Sequence, residues 1–402
     1  MKLSKRRIYL DYASTTPVDK KVLKAVLPFL KNDFHNPSAL YIEGVAMKKK
    51  LESIRKKCAD IFKALPDEII FTSGGTEANN LILQGVLIAG KTKGPYHIVV
   101  SSIEHPSVLE VCRQIEKRRC FIGQLGCQVE VTYLPVDENG MVDPKEVRKA
   151  LKENTALISV QYANNEIGTI EPIREIAKVI RHFKKEYGRG LTDWPYFHTD
   201  ASQAALYCDL NVLLLGVDFL TLDSSKLYAP KGSGLAYAKR GVKIAPIMFG
   251  GSQENDRRPG TENLAGIAGL AEGLTLSEAM KAKEGKRLQE LKEFAANEIL
   301  KQFPKAKING VVGEQSLPNI LNVCFPGLDA EYTVFQLDAR GIACSSVASC
   351  RNLNEDSSSY VVEAIGRVDC AKSSLRFSMG RSTTKKDIKA LLTALKEILK
   401  IR

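Results

Sequence analysis

Ile69-Ile70-Phe71-Thr72-Ser73-Gly74-Gly75-Thr76-Glu77-Ala78-Asn79-Asn80-Leu81 is the stretch on which the fold turns. Its three opening apolar residues follow Pro66-Asp67-Glu68 and read as a short strand, and small residues then lead into an apolar run over 81–88 at helical spacing. A junction of this kind leaves backbone N–H groups free at a helix N-terminus. Such groups form a phosphate site, to which Thr76 adds a hydroxyl. A glycine pair followed by a threonine is, by itself, an ordinary capped turn, so the weight comes from repetition. Upstream, 46–62 carries helical spacing. Downstream, 97–100, 129–134, 156–161, 196–200 and 219–222 read as strands, with helices over 145–151 and 173–184 and another starting at Ser101-Ser102-Ile103-Glu104-His105-Pro106. Alternation of strand and helix predicts an α/β fold on a mostly parallel sheet.

In such sheets ligands bind beyond the carboxyl ends of the strands. The unusual polar residues of this chain fall there: His105, Asn164-Asn165-Glu166, Asp200 and Lys226. Lys226 sits in Leu222-Asp223-Ser224-Ser225-Lys226-Leu227-Tyr228-Ala229-Pro230-Lys231-Gly232-Ser233-Gly234, between strands expected over 217–222 and 235–238. A lysine held by backbone on both sides is desolvated and its amine pKa lowered, as attack on a carbonyl requires. With 58 Lys plus Arg in the chain, a solvated loop lysine is the bland alternative. Several strand ends delivering different chemistries to one sheet edge outweigh it. A phosphorylated aldehyde cofactor would use each feature, namely an anion cradle at Gly75-Thr76, a lysine imine, a carboxylate for a ring nitrogen and a flat side chain for stacking.

Composition bounds the remaining classes. The 402 residues suit two or three domains, and 44% hydrophobic with 26% charged residues is ordinary for a globular chain. No apolar run approaches the roughly 20 residues that span a bilayer. The basic start Met1-Lys2-Leu3-Ser4-Lys5-Arg6-Arg7 runs directly into strand-like Ile8-Tyr9-Leu10, so a cytoplasmic location is expected. Nine cysteines, an odd number without a Cys-x-x-Cys pair, predict reduced thiols, and no zinc-type cluster appears. The net charge of +12 lies mostly on amphipathic helices without a nucleic-acid motif, which predicts solvated faces or an acidic protein partner, no direct nucleic-acid binding and no membrane.

Beyond the lysine, 249–263 is dense in glycine, charge and amide, and a long helix is expected over 264–303. A second domain follows, with a strand over 319–325 and helices over 330–340 and 385–401. Between those helices, Gly341-Ile342-Ala343-Cys344-Ser345-Ser346-Val347-Ala348-Ser349-Cys350 runs into a polar segment expected to be mobile. Cys350, at its root, is expected to be exposed and reactive, whereas Cys324 and Cys208 read as inert packing residues.

Taken together these motifs resemble the cysteine desulfurases of the class V aminotransferase family, enzymes that use pyridoxal 5′-phosphate. The likeness runs from Tyr9-Leu10-Asp11-Tyr12-Ala13-Ser14-Thr15-Thr16-Pro17 and Asn36-Pro37-Ser38 to Leu375-Arg376-Phe377-Ser378-Met379-Gly380-Arg381-Ser382-Thr383-Thr384. The resemblance implies the PLP-transferase fold, with a large cofactor domain over 14–260 and a smaller α+β domain formed by 1–13 and 261–402. It implies that Lys226, and not Lys231, carries the cofactor. Asp200 would pair with the ring nitrogen, Gln203 and Asn165 would face the ring oxygen, and His105 would stack on the ring. Gly75, Thr76 and either Ser224 or Ser225 would hold the phosphate, with Thr261 reaching the phosphate of a neighbouring subunit in a homodimer. Arg376 would hold the carboxylate of substrate L-cysteine beside Asn165, and Cys350 would take the sulfur as a persulfide, release alanine and pass sulfur to an acceptor protein of iron-sulfur or tRNA-thiolation pathways.

Several positions depart from the family pattern. Most relatives have Ser-x-His-Lys at the imine lysine, where this chain has Asp223-Ser224-Ser225-Lys226. An aspartate beside a phosphate is repelled, which is why that contact is assigned to a serine. Cys344 is a competing thiol, and 117–127 reads as an insertion without an assigned role. Rival readings are a selenocysteine lyase or desulfinase of the same family, and a scaffold for sulfur-transfer partners.

Overall fold

A computed structural model describes residues 7–90, 95–118, 128–346 and 358–400. The chain opens with β1 (Ile8–Tyr9), α1 (Lys20–Lys31) and α2 (Ile42–Phe62). Next, β2 (Ile69–Thr72) hands over to α3 (Gly75–Ile88), β3 (Tyr96–Ser101) to α4 (Pro106–Arg118), β4 (Val129–Leu134) to α5 (Pro144–Ala150), and β5 (Thr155–Ser159) to α6 (Ile173–Glu186). β6 (Tyr196–Asp200), α7 (Val212–Leu215), β7 (Phe219–Asp223) and β8 (Gly234–Ala238) complete a seven-stranded sheet ordered β2-β8-β7-β6-β5-β3-β4. Strands β2, β3, β5 and β8 are buried at every position, because helices cover both faces of the sheet.

The pairing is parallel everywhere except at β8, which runs antiparallel to both β2 and β7. Since β8 is reversed between them, β2 and β7 still point the same way. The carboxyl ends of β2, β3, β5, β6 and β7 therefore open along one edge. Helix α3 begins six residues before the apolar run that announced it, because the turn from β2 closes at Gly74 and polar Glu77 and Asn80 already lie within its first turns.

Helix α8 (Leu264–Gln302) spans about 58 Å at 1.5 Å per residue. Its first half packs Leu264, Ile267, Leu270 and Leu274 into the core of the large sheet, and its second half packs Leu288, Leu291, Ala295 and Ile299 into a separate core. After it come β9 (Lys307–Asn309), β10 (Ile320–Cys324), α9 (Ala330–Ala339), β11 (Ile342–Ala343), β12 (Ser345–Ser346), α10 (Tyr360–Ala364), β13 (Ser374–Ser378) and α11 (Lys385–Lys400), and β10, α9, β13 and α11 supply most of that second core. The antiparallel order is β12-β13-β10-β9, and β11 pairs with β1 from the start of the chain.

One expectation is corrected here. Cys324 and Cys370, read from sequence as reduced thiols, form a disulfide with a Cα–Cα separation of 5.4 Å. Cys324 ends β10 opposite Ser374 on β13, and Cys370 closes the turn just before β13, so antiparallel pairing brings together residues 46 apart in sequence. Cys208 does behave as a packing residue, with burial pushing its thiol up to about 12.

The loop over 249–263 is locked to the sheet by one buried ion pair. Arg55 on α2 donates to Glu254 Oε1 at 2.7 Å and Oε2 at 2.8 Å, and to the Ile69 carbonyl at 2.9 Å. Glu254 Oε2 also accepts from the Phe71 amide at 2.9 Å. Replacing Arg55 by Met leaves a buried carboxylate unpaired, at a cost of about 3–5 kcal/mol. The urea midpoint is expected to fall accordingly; an unchanged midpoint contradicts the assignment.

Candidate active site

The strand ends meet at a cavity of about 300 Å³, a size that suits a small cofactor with an amino acid. Gly75 and Thr76 reach it from the β2–α3 turn, His105 from the β3–α4 turn, and Asn165 from the loop after β5. Asp200 and Gln203 come from the end of β6, and Lys226 from the turn after β7. The eighth predicted residue, Arg376, enters from β13 of the small sheet.

At the cradle, backbones touch. A Cβ on Gly234 would lie 2.6 Å from the Gly74 Cα, so glycine at the start of β8 is what lets α3 approach the end of β7. Gly75 is buried and Thr76 is exposed at the cavity mouth. The Gly75 amide donates to Asp223 Oδ2 at 3.0 Å, so a side chain of the lysine turn already occupies this N–H.

A polar relay fixes the ring-facing groups. Asn79 Nδ2 donates to Asp200 Oδ2 and to Ser107 Oγ, both at 2.8 Å. Ser107 Oγ lies 2.8 Å from His105 Nδ1, and the Ser107 amide donates to the same nitrogen at 3.1 Å. Nδ1 is thereby an acceptor, which leaves the proton of the neutral ring on Nε2. Burial lowers the His105 pKa, opposed by Asp200 and reinforced by Lys226. Neighbouring Glu104 is fully buried, and burial raises its pKa well above the usual carboxylate range. Sequence reading missed Asn79 and Ser107, although Asn79 lies in the stretch that set the fold.

Arg376 joins the two sheets. It is 4% exposed, and it donates through Nη1 to the Asn165 carbonyl at 2.8 Å and through Nη2 to Asp11 Oδ1 and Ser14 Oγ, both at 2.8 Å. Lys226 Nζ donates to the Ser14 carbonyl. Lys231 Nζ instead donates to the Thr16 carbonyl at 3.1 Å and does not line the cavity. Asp11 and Ser14 were legible only as part of a motif; their role depends on a contact 365 and 362 residues away.

Other predicted residues lie elsewhere. Ser224 is fully buried and its Oγ donates to the Pro230 carbonyl, while Ser225 Oγ donates to Asp223 Oδ1 at 2.5 Å; neither lines the cavity. The turn engages both hydroxyls in its own hydrogen bonds, Ser224 with a backbone carbonyl and Ser225 with a side chain. Thr261 is exposed and lies outside this cavity. Cys344 is 8% exposed, with burial pushing its thiol up to about 12, so it is poorly suited to be a nucleophile. Cys350 lies outside the described residues, as does most of the 117–127 insertion. The described neighbours on both sides of 347–357 are held near the cavity. Ser345 pairs with Arg376 in the β12–β13 ladder, Ser359 Oγ donates to Glu166 Oε2 at 2.6 Å, and Tyr360 Oη donates to the Glu104 carbonyl at 2.6 Å.

Among the described residues, three buried atoms of the cavity wall have no hydrogen-bond partner: Asn165 Oδ1, Ser202 Oγ and Arg376 Nε. Unpaired polar atoms converging on a cavity are groups waiting for a polar ligand.

Residues 8–391 match the family described as aminotransferase class-V. The chain is 43% identical over 396 residues to the cysteine desulfurase IscS of Dictyoglomus turgidum, covering 98% of this chain and 95% of that one. Among solved structures, a NifS-like protein superposes with a TM-score of 0.88 at 30% identity, over 99% of this chain and 100% of the other. A second, SspA in complex with cysteine, gives 0.75 at 30% identity, over 92% and 98%.

The relay carries a pH prediction. An ordinary histidine is half protonated near pH 6.5. His105, with its lowered pKa, is expected to be mainly neutral there in nitrogen NMR. Asp200→Asn removes the anion that raises this pKa and should lower the midpoint further; a midpoint that rises in the variant contradicts the relay.

Proposed function

The chain belongs to the class-V aminotransferase family, and from that premise we propose that it is a cysteine desulfurase dependent on pyridoxal 5′-phosphate, converting L-cysteine to L-alanine and moving the sulfur onto Cys350. The observation that carries the reading is the meeting of Lys226, Asp200, His105 and Arg376 at one cavity from four separate elements. The unpartnered atoms of its wall support a polar occupant: the Ser202 hydroxyl can donate to a phosphate, the Arg376 Nε–H to a substrate carboxylate, and Asn165 Oδ1 can accept from an N–H or O–H of the bound groups. When bound, the cofactor supplies the electron sink that weakens bonds at the substrate's Cα and Cβ.

The chain's own residues supply the rest. Lys226 would hold the cofactor covalently, and its amine, when free, would be the base that moves the substrate's Cα proton. Asp200, oriented by Asn79 and by the Ser202 amide at 2.9 Å, holds the proton on the ring nitrogen. Neutral His105 offers a flat face for stacking and, through Nε2, a site for proton exchange. Gln203 donates to the Ala13 carbonyl at 2.9 Å through one of its two N–H bonds, and the other can serve the ring oxygen. Arg376 keeps Nε for the substrate carboxylate while Asp11 compensates its charge. The Cys350 thiolate would attack the substrate sulfur as the Cβ–S bond breaks; the electron pair of that bond stays with Cβ, which takes up a proton to become the methyl group of alanine, and the persulfide on Cys350 is left for an acceptor protein.

The division into 14–260 and 1–13 with 261–402 is part of the same proposal, supported by two sheets with separate cores. So is a homodimer, in which Thr261 reaches the phosphate of the neighbouring subunit; exposed Leu40 at 95%, Ile42 at 85% and Phe249 at 78% are side chains an interface would cover. A cytoplasmic setting is part of the same proposal; among the described residues no helix is long and apolar enough to cross a membrane. Acceptors in iron-sulfur or tRNA-thiolation pathways complete the proposal.

With L-cysteine as substrate, mass spectrometry is expected to place one extra sulfur on Cys350 as alanine forms. Cys350→Ser should lower alanine formation by roughly 10³-fold or more. Sulfur on Cys344, or full turnover in the variant, contradicts the reading.

A further inference from the structure

Asp223 ends β7 where a helix N-terminus and an unpartnered hydroxyl meet. Its Oδ2 accepts from the Gly75 amide at 3.0 Å, and its Oδ1 accepts from the Ser225 amide at 2.8 Å and Ser225 Oγ at 2.5 Å. The carboxylate thus holds an N–H of α3 that an incoming anion would use. Across the cradle stands Ser202, 9% exposed, whose buried Oγ has no partner and lies 3.3 Å from where a Cβ on Gly75 would sit. Both residues line the cavity together with Thr76 and Lys226.

These two features fit one form of phosphate. A dianionic phosphate has acceptor oxygens only, so beside Asp223 it meets both like charge and a second group with nothing to donate. A phosphate that keeps one proton can donate it to the carboxylate, while its other oxygens accept from Ser202 Oγ and Thr76. The surrounding charges do not replace that proton. Lys226, on the same turn, is engaged with the Ser14 carbonyl, and Arg376 on β13 is committed to Asp11. His105, on the β3–α4 turn, has its pKa lowered and is neutral. Glu77 on α3 is paired with Arg258 at 2.8 Å, and Asp200 on β6 adds a further negative charge.

We infer that this chain binds the phosphate of its cofactor as the monoanion, with Asp223 accepting a hydrogen bond from the phosphate's remaining proton and Ser202 Oγ donating to another phosphate oxygen. The inference rests on the pyridoxal phosphate reading above. No covalent bond forms or breaks, and the proton stays between the two oxygens. Because the second ionisation of a phosphate monoester lies near pH 6, retaining the proton at pH 8 weakens binding by up to about 100-fold relative to a cradle that takes the dianion.

The test is titration of the cofactor-stripped full chain with pyridoxal 5′-phosphate at pH 6.5 and pH 8.0, followed by absorbance, with phosphorus NMR of the bound phosphate. Pyridoxal, which lacks the phosphate, serves as the probe that cancels effects of pH on Lys226 and His105. The wild type is expected to show a monoanion phosphorus shift at pH 8.0 and to bind more weakly there than at pH 6.5. Asp223→Ser should give the dianion shift and bind about 10- to 100-fold more tightly at pH 8.0, while binding pyridoxal as the wild type does. Ser202→Ala should bind the phosphorylated aldehyde about tenfold more weakly. If Asp223→Ser does not fold, the isosteric Asp223→Asn is read in the same way. A dianion shift in the wild type, or an Asp223 variant no tighter than wild type at pH 8.0, overturns the inference and leaves the cofactor reading standing. Failure of the wild type to bind either aldehyde overturns the cofactor reading and the inference with it.

Discussion

One buried guanidinium, that of Arg376, ties the small sheet to the cavity at the edge of the large one. Arg376 belongs to the small sheet, yet its fork ends on a carbonyl of the loop after β5 and on Asp11 and Ser14 at the start of the chain. A charge at 4% exposure must be paired, and Asp11 does so at 2.8 Å. That pairing draws the N-terminal segment over the cavity, where the Ser14 carbonyl receives Lys226. The cavity is therefore assembled between sheets, with the parallel sheet supplying most of the chemistry and the small sheet supplying the arginine.

The parallel sheet imposes the second constraint. Helices on both faces bury most strand positions, so a polar side chain inside a strand, such as His97 or His198, is paired within the sheet, and the polar residues that face the cavity gather at the strand ends. That is why the strand ends were readable from sequence. Apolar runs bounded by Gly, Pro and polar clusters gave each strand to within a few residues, and His105, Asp200 and Lys226 stood out against them. The reversal of β8 was not legible, since a short apolar strand reads the same in either direction.

What escaped the sequence was set by contacts distant along the chain. Asn79 and Ser107 look like ordinary helix residues until the fold places them between Asp200 and His105. The disulfide joins residues 46 apart through a strand pairing that no local pattern encodes. Ser224 and Ser225 were natural candidates for a phosphate because they precede the lysine. The tight turn directs both hydroxyls to its own backbone and to Asp223, and the unpartnered hydroxyl belongs to Ser202 on the neighbouring strand end. In this chain the hydroxyl and the carboxylate at the cradle come from two adjacent strands, β6 and β7.

In the proposed function Lys226 is the covalent anchor around which these groups are arranged. The decisive measurement is borohydride reduction of the full chain loaded with pyridoxal 5′-phosphate, followed by peptide mass spectrometry. The expected result is a pyridoxyl group fixed on Lys226. A modification on any other lysine, Lys231 included, or no modified lysine at all, would contradict it.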